Sequence, residues 1–437
     1  MKENRLPPQT KYIVGNEACE RFSFYGVIAI LTGYVTLLLG GGKEAEQEAK
    51  EIVHWFRSAV YFLPLLGAWV ADRWWGRYRT ILWISMAYCI GHGCLAVGEG
   101  TKSGLLTGLA FIAIGSGGIK PCVSAFVGDQ FGPGREHLLT KVYGLFYWSI
   151  NFGSFFAFAF IPLVRANPKL GYRWAFGLPG IAMAVATIIF WLGSRTYVKR
   201  PPSRKQPMPA AAQRSENRAT LLRIIFVFAP VMVFWSLYDQ QNTTWVQQGT
   251  KMLPFQIGSY VVNEETMQSA NPLFVMIYIP IFTYLIYPWI ERCGLKFTPL
   301  RRMGTGMVLG AISFAVAAIV QSRIESGAQL SVAWQAIQYA IIIAGEVLLS
   351  VTGLEFAFAQ APPSMKSTIM SMWLLCVAFG NMLTASVTNL NKNLLHASGP
   401  GELLFYSGLM LAVAGVFSVI ARNFREAAAP PTQPLQP

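Results

Sequence analysis

Twelve long apolar stretches recur along the chain, and they constrain its fold more than any other feature. Each is about 20 residues long, the length that an α-helix needs to cross the hydrocarbon core of a bilayer. Hydrophobic residues make up 53% of the 437 positions and charged residues only 13%, whereas soluble proteins carry about 25% charge. We therefore predict an all-α, polytopic membrane protein with transmembrane helices (spans) near 11–40, 50–72, 79–98, 103–127, 138–163, 172–197, 219–246, 270–290, 300–322, 332–360, 364–393 and 401–422.

The distribution of positive charge predicts how these spans are oriented. An even number of spans puts both termini on one side, and most of the 35 lysines and arginines lie in the termini and the even-numbered loops. The positive-inside rule then predicts cytoplasmic termini and a multi-pass protein of the cytoplasmic membrane. The exception is the loop after span 5, with Arg165, Lys169 and Arg173. Because topology explains the net charge of +14, no nucleic-acid partner is expected.

A basic segment rich in proline and alanine divides the chain into two halves of six spans each. The predicted parts are an N-terminal bundle 1–197, a cytoplasmic linker 198–218, a C-terminal bundle 219–425 and a disordered tail 426–437. The two halves show weak internal sequence similarity, because Pro64 precedes Asp72 in one half much as Pro280 precedes Glu291 in the other. Six plus six spans with a duplicated short loop is typical of secondary transporters.

Span 1 contains three charged residues, Glu17, Glu20 and Arg21, inside an otherwise apolar helix. Spacings of three and four residues place them near one helical face. Charges at bilayer depth cost several kcal/mol unless they pair or reach water. One interpretation is that Glu17 and Arg21 simply neutralise each other near the helix end, which leaves Glu20 surplus. The favoured interpretation is a polar cavity in which protonation and a charged ligand compete for the same partners.

Several sequence stretches resemble one family of transporters. NEACERFSFYG (16–26) resembles the E-x-x-E-R-F motif of the proton-dependent oligopeptide transporters, within the major facilitator superfamily. GAWVADRWWGRYRTI (67–81) is similar to that superfamily's loop between helices 2 and 3. Further similar stretches are GSGGIKPCVSAFVGDQF (115–131), FYWSINFGS (146–154), FWSLYDQQNTTW (234–245), NPLF (271–274) and GLEFAFAQAPPSMKS (353–367).

The resemblance implies coupled uptake of di- and tripeptides with protons, through an alternating-access cavity between the two bundles. It implies proton coupling at Glu17, Glu20, Arg21 and Lys120. It implies substrate binding at Tyr25, Tyr61, Lys120, Tyr147, Asn151, Trp235, Asn271 and Glu355. A proton taken by the helix 1 carboxylates would free a cation for the peptide carboxylate. The empty carrier would return with Lys120 bridged to Glu355, which makes Glu355 a gating residue as well.

Each of these residues also has a structural interpretation. Lys120 could extend its ammonium group to an interface, and Glu355 could form a hydrogen bond with a neighbouring helix. Asn151 and Asn271 could hold helices together, and the aromatic residues could serve packing alone. Two charged residues of span 7, Arg223 and Asp239, are candidates for gating pairs with the N-terminal half, with partners that the sequence does not identify.

Two positions bear on how this chain differs from its family. Many members carry an arginine where this chain has Ile28, so one cation for the peptide carboxylate is missing. Arg57 shares a helical face with His54 and Tyr61, and we hypothesise that it replaces this arginine in substrate binding. The alternative is that Arg57 meets lipid headgroups or closes a gate. His54 matches a histidine of animal members and is predicted to be a proton entry residue, although a histidine near a helix end is often only interfacial.

Other functions fit the sequence less well. Plant relatives of the family carry nitrate and other small solutes, so a proton-coupled carrier of another small anion is the nearest alternative. A sugar facilitator would not need this set of charges, and a receptor would usually append a signalling domain. No nucleophile elbow, phosphate loop or metal-ligand cluster indicates an enzyme. The six cysteines show no C-x-x-C pair, so neither a metal nor another cofactor is expected.

Overall fold

A computed structural model describes residues 6–131, 138–202, 211–294, 296–360, 366–390 and 399–424, without the side chains of 139–140, 211–221, 355, 357–360, 366–371 and 390. The helices of the N-terminal half are α1 Thr10–Leu38, α2 Gly42–Phe62, α3 Pro64–Val70, α4 Arg77–Val97, α5 Lys102–Asp129, α6 Leu139–Ala166 and α7 Gly171–Leu192. Those of the C-terminal half are α8 Ala211–Tyr238, α9 Thr244–Gly249, α10 Ala270–Ile281, α11 Tyr287–Arg292, α12 Pro299–Glu325, α13 Gln335–Gln360, α14 Lys366–Leu390 and α15 Pro400–Asn423. An antiparallel hairpin, β1 Phe255–Ile257 and β2 Tyr260–Val262, interrupts the otherwise helical chain.

The structure confirms an all-α membrane protein of the predicted type. Among the residues that it describes, eleven helical segments are long and apolar enough to cross a membrane. The twelfth span is α2 with its continuation α3, which begins at Gly42 rather than near position 50. The first three turns of α2 are rich in lysine and glutamate, so hydropathy alone fails to detect its true start.

Each half of the chain encloses its own hydrophobic core. The N-terminal core includes Phe24, Ile112 and Phe176, and extends from Ile13 to Tyr197. The C-terminal core extends from Ile224 to Phe417. Tyr61 packs against both cores, which places it where the two six-helix bundles meet.

Glycines of α5 allow α3 and α4 to approach it closely. A Cβ atom at Gly67 of α3 would lie 2.5 Å from the Cα of Gly118, and one at Gly118 would lie 2.4 Å from Ile84 of α4. Such distances are shorter than any real contact, so side chains are excluded on both sides of this crossing. The glycine run 115–118 is therefore a packing surface that brings the following residues of α5 close to α1.

Interrupted helices occur in both halves. A π-helical turn at Ala71–Trp75 follows α3, and a second at Phe282–Ile286 follows α10. These turns follow Pro64 and Pro280, so the weak sequence similarity between the halves is accompanied by a similar interruption of the helix in each. The predicted continuous span 7 is also interrupted, because a 3₁₀ segment Asp239–Asn242 separates α8 from α9.

The two ends of the bundles are distinguished by the segments that they carry. The hairpin face carries the β-hairpin and the loops that contact it, including Leu253 bridged to Ser331. The termini face is the opposite end, where Arg200 lies 3.3 Å from Asp129 and Phe424 packs on Phe356.

The boundaries of the predicted parts stay predictions. The helix α8 begins at Ala211, inside the predicted linker 198–218, so the last part of that segment is helical. The predicted tail 426–437 lies outside the described residues.

We expect Gly67→Ala to lower the melting temperature of the detergent-solubilised protein, because its methyl group would meet the backbone of Gly118. Overpacking of this kind costs about 1–3 kcal/mol. Gly93→Ala is the matched control, since a Cβ there meets nothing within 4 Å and alanine is favoured over glycine in a helix by about 0.5–1 kcal/mol. Equal melting temperatures for the two variants, measured by intrinsic fluorescence, would show that the crossing is not tightly packed.

Candidate functional site

The charged residues of α1 form a compact buried cluster. Arg21 Nε lies 2.7 Å from Glu17 Oε1 and 2.7 Å from Glu20 Oε2. The three residues are between 0% and 6% exposed. Gly153 of α6 makes this geometry possible, because a Cβ there would lie 2.3 Å from the backbone oxygen of Ala18. Within the described part of the chain, Glu17 Oε2 and Glu20 Oε1 have no hydrogen-bond partner, so the single arginine leaves acceptor capacity unused.

Lys120 of α5 lies beside this cluster. Its Nζ is 4.3 Å from the ring centroid of Phe24 and 4.5 Å from that of Tyr61. Its charge interacts with those of Glu17 and Glu20. Among the described side chains, no carboxylate lies within ion-pair distance of Lys120, so cation–π contacts hold the ammonium group.

A cavity of about 170 Å³ lies between the two bundles. Seven of the nine predicted substrate-binding residues line it: Tyr25, Arg57, Tyr61, Tyr147, Asn151, Trp235 and Asn271. They come from α1, α2 and α6 of one bundle and from α8 and α10 of the other. The structure therefore brings together residues that are up to 246 positions apart in the sequence, as an interface site requires.

Several polar groups of the cavity are already oriented by hydrogen bonds. Asn271 Nδ2 donates to Tyr238 Oη at 2.8 Å and to Gln241 Oε1 at 2.6 Å. Asn151 Nδ2 donates to the backbone oxygen of Tyr147 at 3.0 Å, within its own helix. Thus Asn271 holds elements of the C-terminal bundle together, and neither asparagine contacts the opposite bundle through these bonds.

Arg57 and His54 belong to a buried polar network that crosses from one bundle to the other. Arg57 Nη2 donates to Asp239 Oδ1, and Asn381 Nδ2 donates to the second oxygen of Asp239. Asn381 Oδ1 also lies 2.7 Å from His54 Nδ1, while His54 Nε2 lies 3.0 Å from Thr243 Oγ1. The N-terminal partner of Asp239, which the sequence did not identify, is Arg57.

Arg57 is nevertheless not saturated by this network. Its Nε and Nη1 have no hydrogen-bond partner among the described residues, although the side chain is only 4% exposed. Arg57 also lines the cavity, so its guanidinium group has unused donor capacity beside that space. Both interpretations of Arg57, gate and substrate cation, therefore fit one geometry.

The break in the seventh span is where these contacts concentrate. Unwinding frees the backbone oxygens of Gln241 and Asn242, which accept bonds from Tyr339 Oη at 3.2 Å and Thr32 Oγ1 at 2.5 Å. Irregular backbone at membrane depth is tolerated where such partners or a cavity satisfy it. The sequence analysis missed the break, because residues 234–246 contain no proline or glycine.

The bundles are joined on the hairpin side of the cavity. In the described part of the chain, several polar contacts join the two bundles in addition to those of Thr32, His54 and Arg57. Side chains pair in Lys50–Glu402, Glu46–Lys251, Glu51–Asn389, Arg165–Glu264 and Arg165–Glu265. Side chains also donate to backbone oxygens in Gln247 to Glu46, Tyr260 to Ala159, and Gln268 to Ala29. All lie towards the hairpin face, so the structure is closed on that face.

Glu346 of α13 is a cavity residue that the sequence analysis missed. It is 9% exposed, lines the same cavity as Arg57, and its Oε2 has no hydrogen-bond partner among the described residues. Its charge acts on Tyr147 of one bundle and on Tyr238 of the other. The sequence signal for Glu346 is an acidic residue inside the apolar span 332–360, the same span that contains the predicted Glu355.

Lys120 lies beside the α1 cluster and is not among the residues that line the cavity, and two other predicted residues are not placed there by the described structure. The side chain of Glu355 lies outside the described residues. The substrate-binding and gating roles of Glu355 therefore stay predictions. Arg223 of α8 is exposed and forms no ion pair with a described side chain, so its gating role stays a prediction.

Comparison with known proteins identifies relatives of this chain. Solute carrier family 15 member 2 of Mus musculus is 36% identical over 364 residues, which are 73% of this chain and 49% of that protein. Peptide transporter family 1 of Drosophila melanogaster is 36% identical over 365 residues, 74% of this chain and 48% of that protein. The chain thus spans about half the length of the curated relatives that it matches.

Solved structures are similar over almost the whole chain. A crystal structure of an auto-inhibited POT family peptide transporter has a TM-score of 0.89 and 36% identity, covering 96% of this chain and 98% of that one. The POT family transporter PepTSo, crystallised in meso, has a TM-score of 0.89 and 37% identity with the same coverage. The family model described as POT family matches residues 78–215 and 204–399. The chain belongs to the POT family, the proton-dependent oligopeptide transporters.

Proposed function

We propose that the protein is a proton-coupled symporter that imports di- and tripeptides by alternating access. The observation that carries this proposal is one cavity between two bundles with opposite charges in its walls, Arg57 and Glu346. A short peptide is a zwitterion, so its carboxylate needs a cation and its ammonium group needs an anion. The names of the relatives, which include peptide transporters, agree with this substrate class.

The carboxylate end of the peptide is assigned to Arg57, with Lys120 as the second cation. The Nη1 donor of Arg57, which has no partner among the described residues, can form a charge-assisted hydrogen bond with a carboxylate oxygen. Two aromatic rings contact the Lys120 ammonium group and no described side chain forms an ion pair with it, so a peptide carboxylate can become its partner. Arg57 therefore supplies the cation that is missing at position 28, where this chain has isoleucine, while its Nη2 keeps the hydrogen bond to Asp239.

The ammonium end of the peptide is assigned to Glu346, whose Oε2 is free to accept hydrogen bonds. Asn151 and Asn271 also line the cavity and are assigned to the peptide backbone. The remaining walls include the rings of Tyr25, Tyr147 and Trp235. Apolar walls with a few polar groups accept many side chains, so the peptide termini supply most of the specificity.

Proton coupling is assigned to the α1 cluster and Lys120, with His54 as a proton entry residue. Three charges of the cluster, Glu17, Glu20 and Arg21, carry a formal net charge of −1, and Lys120 balances it. When the peptide carboxylate pairs with Lys120, the charge of one α1 carboxylate is no longer neutralised by that lysine. Protonation of this carboxylate restores neutrality, which links peptide binding to proton binding.

The hairpin face is assigned to the outside of the cytoplasmic membrane, and both termini to the cytoplasm. The basic residues of the termini and even-numbered loops support this orientation. The contact of Arg57 with Asp239 then acts as part of an external gate that is closed in this structure. One charge moving through 100 mV gains about 2.3 kcal/mol, enough to concentrate a peptide about 40-fold, since 1.4 kcal/mol is tenfold.

A carrier of nitrate or another small anion is not favoured by any observation. A buried carboxylate, Glu346, in the wall of the cavity would repel an anion and would have to be neutralised by some other group. In a peptide carrier, the same carboxylate can pair with the ammonium group of the peptide.

Uptake into proteoliposomes tests the proposed function. Labelled dialanine should accumulate when the outside is acidic and the inside negative, and unlabelled dipeptides should compete while free amino acids and nitrate should not. Empty liposomes and a protonophore provide the controls. Accumulation that persists after both gradients have been dissipated would contradict proton coupling.

Glu346→Gln should weaken recognition of the peptide amino group. We expect it to raise the half-inhibitory concentration of dialanine at least tenfold, because a charge-assisted hydrogen bond contributes about 1.5–3 kcal/mol. N-acetyl-dialanine, which lacks the ammonium group, should be affected little. Glu291→Gln is the matched control, because this carboxylate of the same bundle is exposed and does not line the cavity, and it should leave both values near those of the wild type. Equal effects of Glu346→Gln on the two peptides would assign the ammonium group to another residue.

Removal of Arg57 should loosen the hairpin face. Arg57→Ala leaves Asp239 buried without its cation, a loss of about 3–5 kcal/mol if no rearrangement relieves it, so amides of residues 239–249 should exchange with deuterium at least tenfold faster. Lys102→Ala is the control, because its pair with Glu48 is 57% and 37% exposed and such pairs contribute about 0–1 kcal/mol. The double variant Arg57→Ala/Asp239→Ala should exchange more slowly than Arg57→Ala alone. Strictly additive effects would show that the pair does not hold the face closed.

A further inference from the structure

Glu265 is a carboxylate at the hairpin face that plays no part in the site described above. It lies in the loop that joins the β-hairpin to the eighth span and is only 1% exposed. Its Oε2 accepts hydrogen bonds from Arg165 Nη2 at 2.6 Å and Arg165 Nε at 2.9 Å. Arg165 ends α6, so this bidentate pair joins the N-terminal bundle to the C-terminal bundle.

The pocket around Glu265 is formed by both bundles. A Cβ at Gly33 of α1 would lie 3.0 Å from Glu265 Oε1, so a larger residue there would press on the carboxylate. From α7, Tyr172 interacts with Glu265, and its ring lies 4.9 Å from that of Tyr34 of α1. From the same loop, Glu264 lies 3.8 Å from Arg165. The charged or titratable groups that face Glu265 are therefore Arg165, Glu264, Tyr172 and, behind it, Tyr34.

The loop that carries Glu265 is held in place by local bonds. Asn263 Oδ1 accepts from the backbone nitrogens of Glu265 at 3.2 Å and Thr266 at 3.0 Å. Gln268 Nε2 donates to the backbone oxygen of Ala29 in α1 at 2.8 Å. The carboxylate is thus positioned by bonds within its own loop and by one bond to the other bundle, and its burial depends on contact with that bundle.

We propose that Glu265 is a second proton-binding site of this carrier, located at the hairpin face and filled when that face closes. The ligand is a proton from the side of the membrane on which the hairpin lies. The proposal rests on the alternating-access function proposed above, because it requires the two bundles to separate and rejoin at this face.

The direction of the effect follows from the difference between the closed and open forms. In the closed structure, burial raises the pKa of Glu265 to about 7, although Arg165 opposes the shift. When the bundles separate, Glu265 reaches water, where a glutamate has a pKa of about 4.3. The closed form therefore binds the proton more tightly, and acid favours closure. From pH 8 to pH 6, the closing equilibrium constant should rise about tenfold through this group alone.

Arg165 can stay in contact with Glu265 whether or not Glu265 carries a proton. It is 25% exposed, so water shares the solvation of its guanidinium group when Glu265 becomes neutral. A protonated Glu265 still accepts from Arg165 through its carbonyl oxygen. The contact between the bundles is therefore retained, while the cost of burying a carboxylate is removed.

The test measures the distance across the hairpin face as the pH changes. In a cysteine-free background, spin labels at Lys169 and Gln329, both exposed and on different bundles, report closed and open populations by double electron–electron resonance in nanodiscs. Wild type should shift towards the short distance from pH 8 to pH 6. Glu265→Gln, which imitates the neutral form, should favour the short distance at both values, and its pH response should be about tenfold smaller than that of the wild type.

Two further variants make the outcome specific. Glu264→Gln, the adjacent carboxylate, should keep the wild-type response. Glu265→Asp retains a titratable group and should keep a response in the same direction, which serves as the test if Glu265→Gln does not yield monodisperse protein. An unchanged response in Glu265→Gln, or closure that weakens in acid, would overturn the proposal. Because no transport is measured, failure of peptide uptake would refute the proposed function separately.

Discussion

The cost of placing charge inside a bilayer governs this protein. Glu17, Glu20 and Arg21 are buried on one face of α1, and Lys120 faces them from α5. Each charge is tolerated only because the others are near. A set of charges that must stay balanced can exchange one partner for another, so a ligand that takes Lys120 creates a place for a proton. The architecture that keeps these groups together, from the glycine run of α5 to Gly153 of α6, serves this balance.

The same constraint acts between the bundles. Arg57 with Asp239, Lys50 with Glu402, and Arg165 with Glu265 pair across the interface on the hairpin side of the cavity. The two charges of each pair stabilise each other when the hairpin face is closed and must be solvated by water when it opens. Closure and opening therefore differ mainly in how charges are solvated, which makes the balance between them sensitive to protons and to a zwitterionic ligand.

Sequence patterns predicted much of this arrangement but not all of it. The number of spans follows from apolar length. Six of the cavity residues were predicted from the resemblance of their motifs to the family, and Arg57 from the helical face that it shares with His54 and Tyr61. Glu346 was missed because its orientation depends on the rotation of α13 about its axis, which a helix with apolar residues on all sides does not reveal by periodicity. The break at Asp239–Asn242 also escaped prediction, because long-range partners such as Tyr339 and Thr32 stabilise it. The start of α2 was missed since charged residues occupy its first turns.

The most direct measurement of the central claim is the number of protons taken up when a peptide binds. Isothermal titration of dialanine into the purified protein, repeated in buffers with different ionisation enthalpies, gives this number without any transport assay. Exchange of partners within the charge cluster of α1 and α5 predicts net proton uptake on binding near neutral pH, reduced when Glu17 and Glu20 are both replaced by glutamine. Binding of dialanine with no net proton uptake at any pH between 5 and 8 would contradict the account.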